Sequence, residues 1–395
     1  MGLPDRCSIR GYRAIILLGF VSLMGDIVYE GARGLIPSFL KYLGASASIT
    51  GLSTGLGDSM GLGLRLLSGL IADATGRYWS LTFTGYGLIA SIPLLSVAWS
   101  WPIAVTLSIV ERVGKALRTP SRDTIISMVS KDVGAGKAFG IHEFLDQVGA
   151  VAGPLIVAIV MLYTGGIYEY AFAVLTIPYI ALIVTLAYTY KSIGPVESTR
   201  KAGSKSFRFP NLSMKFWLYS SAVLANTLGL IPASLILYKA SDIFVDEWII
   251  PLIYLAIQAI DAPSAILSGI FYDRIGLKIL YIPMLASAIP SILVFAGGVW
   301  SIMIASIIYG VVYGMQESIY RAAIATITPM ERRGTGYGVF NTLYGAGFLA
   351  SGVVYGFMLD YGIPLPIVLA YTLLLQTVAM ILLSYSIGRS SKGLS

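Results

Sequence analysis

The sequence predicts an all-α polytopic membrane protein with twelve transmembrane helices in two pseudo-symmetric six-helix halves. Three observations predict it. Of 395 residues, 56% are hydrophobic and 12% charged, with a mean hydropathy of +0.79, far from a soluble average. A hydrocarbon core of roughly 30 Å needs about 20 apolar residues per helix, and runs of that length recur along the whole chain. The chain also repeats itself: Gly34-Leu-Ile-Pro37 returns as Gly229-Leu-Ile-Pro232, Arg122 aligns with Arg321 and Gly140 with Gly338, at offsets of 195, 199 and 198. Backbone in lipid must satisfy its own hydrogen bonds, and the alternating pattern of a barrel is absent, so helices remain.

The spans follow in order. The first, 12–40, carries Asp26, Glu30 and Arg33, spaced by four and three residues and so on one helical face. It is too long and too charged for a cleavable signal peptide. The second, 48–71, carries Asp58 and runs into a turn, Gly69-x3-Asp73-x2-Gly76-Arg77. Spans at 79–98 and 101–128 follow, the latter with Glu111, Arg112, Lys115, Arg118 and Arg122. The fifth, 138–163, contains Asp146 and a glycine series, and the sixth runs over 170–190. Residues 191–213, rich in Ser, Lys, Arg, Gly and Pro, form a cytoplasmic linker between an N-terminal half, 1–190, and a C-terminal half, 214–395. That half spans at 214–240, 248–271 with Asp261, 279–297, 300–326 with Glu317 and Arg321, 336–359 and 364–387. The turn after its second span, Gly269-x3-Asp273-Arg274-x-Gly276, repeats the first at an offset of 200.

Orientation follows from Lys and Arg in short loops. With the N-terminus inside, cytoplasmic segments hold eighteen of the 27 basic residues, outer loops hold only Lys41 and Lys239, and seven lie within spans. Both termini are therefore expected in the cytoplasm of a multi-pass protein of the cell (plasma) membrane. The net charge of +7 is explained by these loops, so nucleic acid is not an expected partner. One cysteine and one histidine cannot build a disulfide or an ordinary transition-metal cage, and no metal or other cofactor is expected. No enzyme signature survives: Gly51-Leu-Ser53-Thr-Gly55 begins a membrane helix instead of following a strand, and no phosphate-binding loop is present.

The turn after span 2 carries a resemblance. Gly69, Asp73, Gly76 and Arg77, with Ala74 in place of the usual basic residue, and Gly269, Asp273, Arg274 and Gly276 are similar to the loop signature of the major facilitator superfamily, and the likeness runs essentially the full length. The resemblance implies that this loop braces neighbouring helices in one conformation of a transport cycle; a plain topology-setting turn is the other reading. Gly140-x8-Gly149-x3-Gly153-Pro154 resembles most of the pattern associated with antiporters of the superfamily, Val157 and Ala158 standing where its last glycines would be. Small residues that let helices approach explain it too. Asp26-x2-Tyr29-Glu30-Gly-x-Arg33 and Glu111-Arg112-x-Gly114-Lys115 also resemble a group of prokaryotic permeases, and family resemblance links an arginine placed like Arg112 to proton or substrate coupling.

Charge inside a bilayer costs several kcal/mol and is kept facing partners or water. At about 1.5 Å per residue, Asp26 lies roughly 21 Å along span 1, near the membrane centre. Asp26, Glu30, Asp58, Glu111 and Arg112 are the candidates for proton coupling or translocation, with an internal ion pair as the alternative. Arg33, Lys115, Arg118, Arg122, Asp146, Asp261, Glu317 and Arg321 are candidates for cavity or gate; the basic ones suit either inner-gate pairs or an anionic substrate. Asn226 and Gln258 are neutral. Tyr29, Tyr254, Tyr309, Tyr313 and Tyr344 are candidates to line a cavity, and His142 is a proton sensor or a packing residue. The expectation is a monomeric secondary active transporter that exports a small solute in exchange for protons. Proton-coupled uptake of a small metabolite, anionic ones included, or a non-transporting receptor or lipid scramblase on the same fold, are the alternatives.

Overall fold

The computed structural model describes residues 6–130, 133–195 and 212–388, and all regular structure among them is helical. The chain begins α1 (Arg6–Arg33), α2 (Ile36–Tyr42), α3 (Ala47–Thr75), α4 (Tyr78–Gly87), α5 (Trp101–Val129), α6 (Ala135–Thr164), α7 (Tyr168–Ala173) and α8 (Thr176–Ile193). It continues α9 (Met214–Leu228), α10 (Ala233–Ile243), α11 (Ile249–Ile275), α12 (Tyr281–Ala286), α13 (Ala288–Ala296), α14 (Val299–Met315), α15 (Arg321–Ile327), α16 (Arg333–Asp360) and α17 (Leu365–Gly388). Most of the 191–213 linker lies outside the described residues.

Nine helical segments among the described residues are long and apolar enough to cross a membrane. One of them, Ile249–Ala296, is 48 residues long and breaks at Gly276, whose φ of +69° is left-handed. Outside the nine, α3 and α5 have 29 residues each, enough for roughly 43 Å of helix. Charge dilutes their hydropathy: Asp58 and Arg65 in α3, and a run from Glu111 to Asp123 in α5.

Packing gathers the described residues into two compact units, one within 1–36 and 64–205, the other within 37–63 and 206–395. In the first, α1 packs along α6 and α8, and α4 along α5. Glycine sets both close approaches. A Cβ on Gly153 would lie 2.5 Å from the Ile27 carbonyl oxygen, and one on Gly149 2.8 Å from the Asp26 Cβ, so α6 can touch α1 only because these positions are bare. Gly85 and Gly114 do the same for α4 and α5, each meeting the other's carbonyl at 2.6–2.7 Å. In the second unit α11 packs on α14, and α9 on α16 and α17.

The internal repeats fall at matching structural places. Gly34-Leu-Ile-Pro37 spans the break between α1 and α2, and Gly229-Leu-Ile-Pro232 the break between α9 and α10. Proline at or beside the first helical position lacks only a hydrogen bond the helix does not make. Gly76 and Gly276 both close their turns with positive φ, +64° and +69°, which a side chain would strain. Ile177, Ile180 and Val184 form an exposed apolar stripe along α8, the face that a helix turns to hydrocarbon.

Candidate functional site

Within the first unit, charge is organised around one aromatic ring. Tyr29 is buried in α1, and three cations lie over its ring: Lys115 Nζ at 4.5 Å, Arg33 Cζ at 4.8 Å and Arg118 Cζ at 5.0 Å from the centroid. Arg118 is fully enclosed because the Gly85–Gly114 crossing brings Tyr86 onto its other face, also at 5.0 Å. Cation–ring attraction grows when both partners are desolvated. Glu30 is bonded to Arg33, one turn on along α1, and stands 3.7 Å from Lys115. Glu111 lies among three guanidiniums, 3.9 Å from Arg33, 3.8 Å from Arg112 and 3.9 Å from Arg118.

A second group follows along α1, α5 and α6. Arg122 donates to Asp123 Oδ1 through Nε and Nη2 at 3.0 and 2.9 Å, and to Ser22 Oγ through Nη1 at 2.8 Å. Its Nη1 is 3.8 Å from Asp146 Oδ2, and His142 Nδ1 is 3.0 Å from Asp146 Oδ1. Asp26 is buried at the Gly149 crossing, and the charges acting on it belong to Asp146, Lys115, Glu30 and Arg122. Its Oδ1 accepts no hydrogen bond. Asp26, Glu30, Arg33, Glu111, Arg112, Lys115, Arg118, Arg122 and Asp146 thus share one unit, and pairing of Arg122 with Asp123 is observed.

Asp58, Asp261, Glu317 and Arg321 belong to the second unit. Asp58 goes there because the first part of α3 packs on α16, with Gly51 against Gly352 and Gly55 against Leu349. Asp58, Asp261 and Glu317 act on Tyr309, whose ring stacks on Tyr313 at 5.8 Å. Arg321 is exposed, and its carbonyl accepts from the Tyr337 hydroxyl at 3.1 Å. Among the described residues no group of His, Cys, Asp and Glu is arranged to hold a metal ion.

Sequence reasoning missed a neutral network in this unit. Asn226 Nδ2 donates to Gln376 Oε1 at 2.6 Å, while Gln316 Nε2 and the Tyr320 hydroxyl donate to Asn226 Oδ1 at 3.0 and 2.7 Å. Tyr344 closes it on Gln316 Oε1 at 3.0 Å. A π-helical turn, Gln316–Tyr320, sets Gln316 and Tyr320 on one side, as such turns at functional places do. Buried amides within apolar spans were the available signal. Tyr86 and Ser22 gave none, since each meets its arginine from a distant part of the chain.

The loop motifs and glycine series are placed as follows. Asp73 accepts from the Tyr78 hydroxyl at 3.3 Å; Gly69 faces Pro120 at 3.7 Å and Gly269 faces Ser318 at 3.2 Å from where a Cβ would be. Asp273, Arg274 and Arg77 are exposed. Gly149 and Gly153 are contact glycines, Pro154 lies inside α6 and Gly140 stands in open space.

Charged side chains within membrane-length helices are costly and mark functional positions. The profile of the Major Facilitator Superfamily matches residues 15–352 and 247–390. The chain belongs to this superfamily. It is 35% identical over 382 residues to an uncharacterized protein of Mycobacterium tuberculosis, covering 95% of this chain and 93% of that one. An uncharacterized MFS-type transporter of Methanocaldococcus jannaschii is 28% identical over 358 residues, 87% of this chain and 88% of that one. Among solved structures, the nucleoside transporter NupG superposes with a TM-score of 0.73 at 14% identity, over 95% of this chain and 99% of that one. A POT family transporter in complex with a thioalcohol-conjugated peptide gives 0.76 at 14% identity, over 97% of both chains. The protein is a multi-pass membrane protein of a transporter superfamily, with the helical fold of those transporters.

Proposed function

We propose that the protein is a secondary active transporter that moves a small solute by alternating access and exports it in exchange for protons. The observation that carries this is Asp26: a carboxylate buried at the α1–α6 crossing, with an oxygen that accepts no hydrogen bond, among Asp146, Glu30, Lys115 and Arg122. A carboxylate whose surroundings change between two conformations takes up a proton in one and releases it in the other. Exchange is supported by Gly149, Gly153 and Pro154, which match the antiporter-like series and set Asp26 against α6. Proton symport for uptake is the second reading, favoured by the cations beside Asp26: protonation there would remove a negative charge and help an anion bind. Arg122 with Asp123 and Asp146 forms the inner gate.

The remaining assignments belong to the same reading. Twelve spans result when Ile249–Ala296 is divided at Gly276 and α3 and α5 are counted despite their charge. Both termini lie in the cytoplasm, the protein acts as a monomer in the plasma membrane, and the repeated halves are 1–190 and 214–395. The test is reconstitution in liposomes under an imposed pH gradient, with pooled metabolites and drugs as solutes and lumenal pH as readout. Solute-dependent proton flux is expected, and its sign separates exchange from symport. Asp26→Asn is expected to abolish gradient-driven flux while solute binding persists. Full flux in both Asp26→Asn and Glu30→Gln removes the coupling assignment.

A further inference from the structure

Near the starts of α1 and α6 the two helices frame a groove of about 680 Å³. They begin at one level: the apolar stretch of α1 starts at Gly11 and that of α6 at Gly136, and Gly11 faces Val133, just ahead of α6. Tyr12 and Ile16 of α1 and Lys137, Gly140, Ile141 and Phe144 of α6 form its walls. Gly140 is exposed, with nothing within 4 Å of where a Cβ would be, so the first glycine of the antiporter-like series leaves room instead of making a helix contact. Ile16 and Phe144 are 52% and 68% exposed. From Phe144 an exposed apolar stripe continues along α6 through Val148, Val151, Leu155, Ile159 and Leu162, at helical spacing.

Lys137 is exposed and makes no ion pair among the described residues. It is the only charged residue in the lining, which otherwise offers a polar side chain only at Tyr12. A hydrophilic solute is poorly matched there, whereas an amphiphile with an anionic head and an acyl tail is matched at both ends. We propose that the groove binds an anionic phospholipid, its phosphate on Lys137 and one acyl chain laid over Gly140 and along the Phe144 stripe. Lys137 and Phe144 are seven residues apart, about 10 Å of helix, which takes the chain from headgroup level into hydrocarbon. Tyr12 beside Lys137 suits that interface. On the orientation proposed above the leaflet is the cytoplasmic one, which carries the negative surface potential. Binding there requires only that the chain spans a bilayer, whatever its solute or coupling.

Thermal unfolding of the delipidated protein in detergent tests it, with short-chain phosphatidylglycerol, short-chain phosphatidylcholine or inorganic phosphate added at constant ionic strength. Phosphatidylglycerol is expected to raise Tm by about 2 °C or more above phosphatidylcholine, and free phosphate to leave it unchanged. Lys137→Gln is expected to erase the difference between the two lipids and Lys137→Arg to keep it. Gly140→Leu, which fills the groove, is expected to erase it as well. Lys278→Gln, which removes an exposed lysine of the second unit, is expected to keep it. If Gly140→Leu does not fold, the three lysine variants still decide. An equal response to both lipids marks ordinary hydrocarbon contact and overturns the proposal, as does a preference for phosphatidylglycerol that survives Lys137→Gln or is lost equally in Lys278→Gln. A shift with free phosphate alone assigns Lys137 to a soluble anion and also overturns it. So does a Tm that rises with protein concentration in wild type but not in Gly140→Leu, without lipid preference, since the groove then belongs to a second copy of the chain.

Discussion

Arg118 shows how a charge can be kept inside a membrane protein. Its guanidinium lies between the Tyr29 and Tyr86 rings, 5.0 Å from each centroid, with Glu111 at 3.9 Å, and the bare Gly85–Gly114 crossing leaves room for that stack. Losing the guanidinium removes two desolvated cation–ring contacts, each worth about 2 kcal/mol, and one of the three cations around Glu111. Arg118→Met keeps the length of the stem and deletes the charge, so it is expected to lower the unfolding temperature by several degrees. Arg118→Lys keeps the charge but cannot cover two rings at once, and should fall between. Equal stability of Arg118→Met and wild type would show that the arginine contributes no net stability. The sequence named Arg118 but not Tyr86, because charge in a hydropathic run is visible residue by residue whereas a stacking partner on another helix has no period to reveal it.

Glycines divide into those that touch and those that do not, and spacing alone could not tell them apart. Gly153 has the Ile27 carbonyl 2.5 Å from where its Cβ would be, whereas Gly140 in the same helix has nothing within 4 Å. Overpacking a contact of that kind costs about 1–3 kcal/mol, while alanine in place of an uncrowded helical glycine gains up to about 1 kcal/mol. Gly153→Ala should therefore lower the unfolding temperature and Gly140→Ala should leave or raise it; similar losses at both positions would mean that contact geometry is not what the series encodes. Helix existence, the paired glycine turns and the charged faces of α1 and α5 were legible, since each depends on local residue order. The Asn226–Gln316–Gln376 network was not, because a π-helical turn shifts the register of Gln316 and Tyr320. Asp58 counts with the N-terminal half by order and with the second unit by packing, and only the α3–α16 contact reveals that.

For the molecule as a whole, α3 is the helix divided between the two units: its residues up to 63 pack with the second unit and those from 64 with the first. Its N-terminus is tied down. Asp360, at the end of α16, accepts from the backbone N–H of Ala47 at 2.7 Å and of Ser48 at 2.9 Å, and from the Ser48 hydroxyl. A carboxylate over the exposed N–H groups of a helix start is favourable both as a cap and against the helix dipole. With the N-terminus in the cytoplasm, this tie lies at the outer end of both helices. In the proposed alternating access one repeat moves against the other; α3 is in the 1–190 repeat and α16 in the 214–395 repeat, so on that reading the tie opens in one conformation. In a Cys7→Ser background, Ser48→Cys with Asp360→Cys is expected to transport until a short, reductant-cleavable thiol cross-linker joins the two positions. Flux in proteoliposomes should then stop and return on reduction. Undiminished flux with the cross-link in place would show that α3 and α16 stay together throughout transport, and the opening would have to occur along another pair of helices.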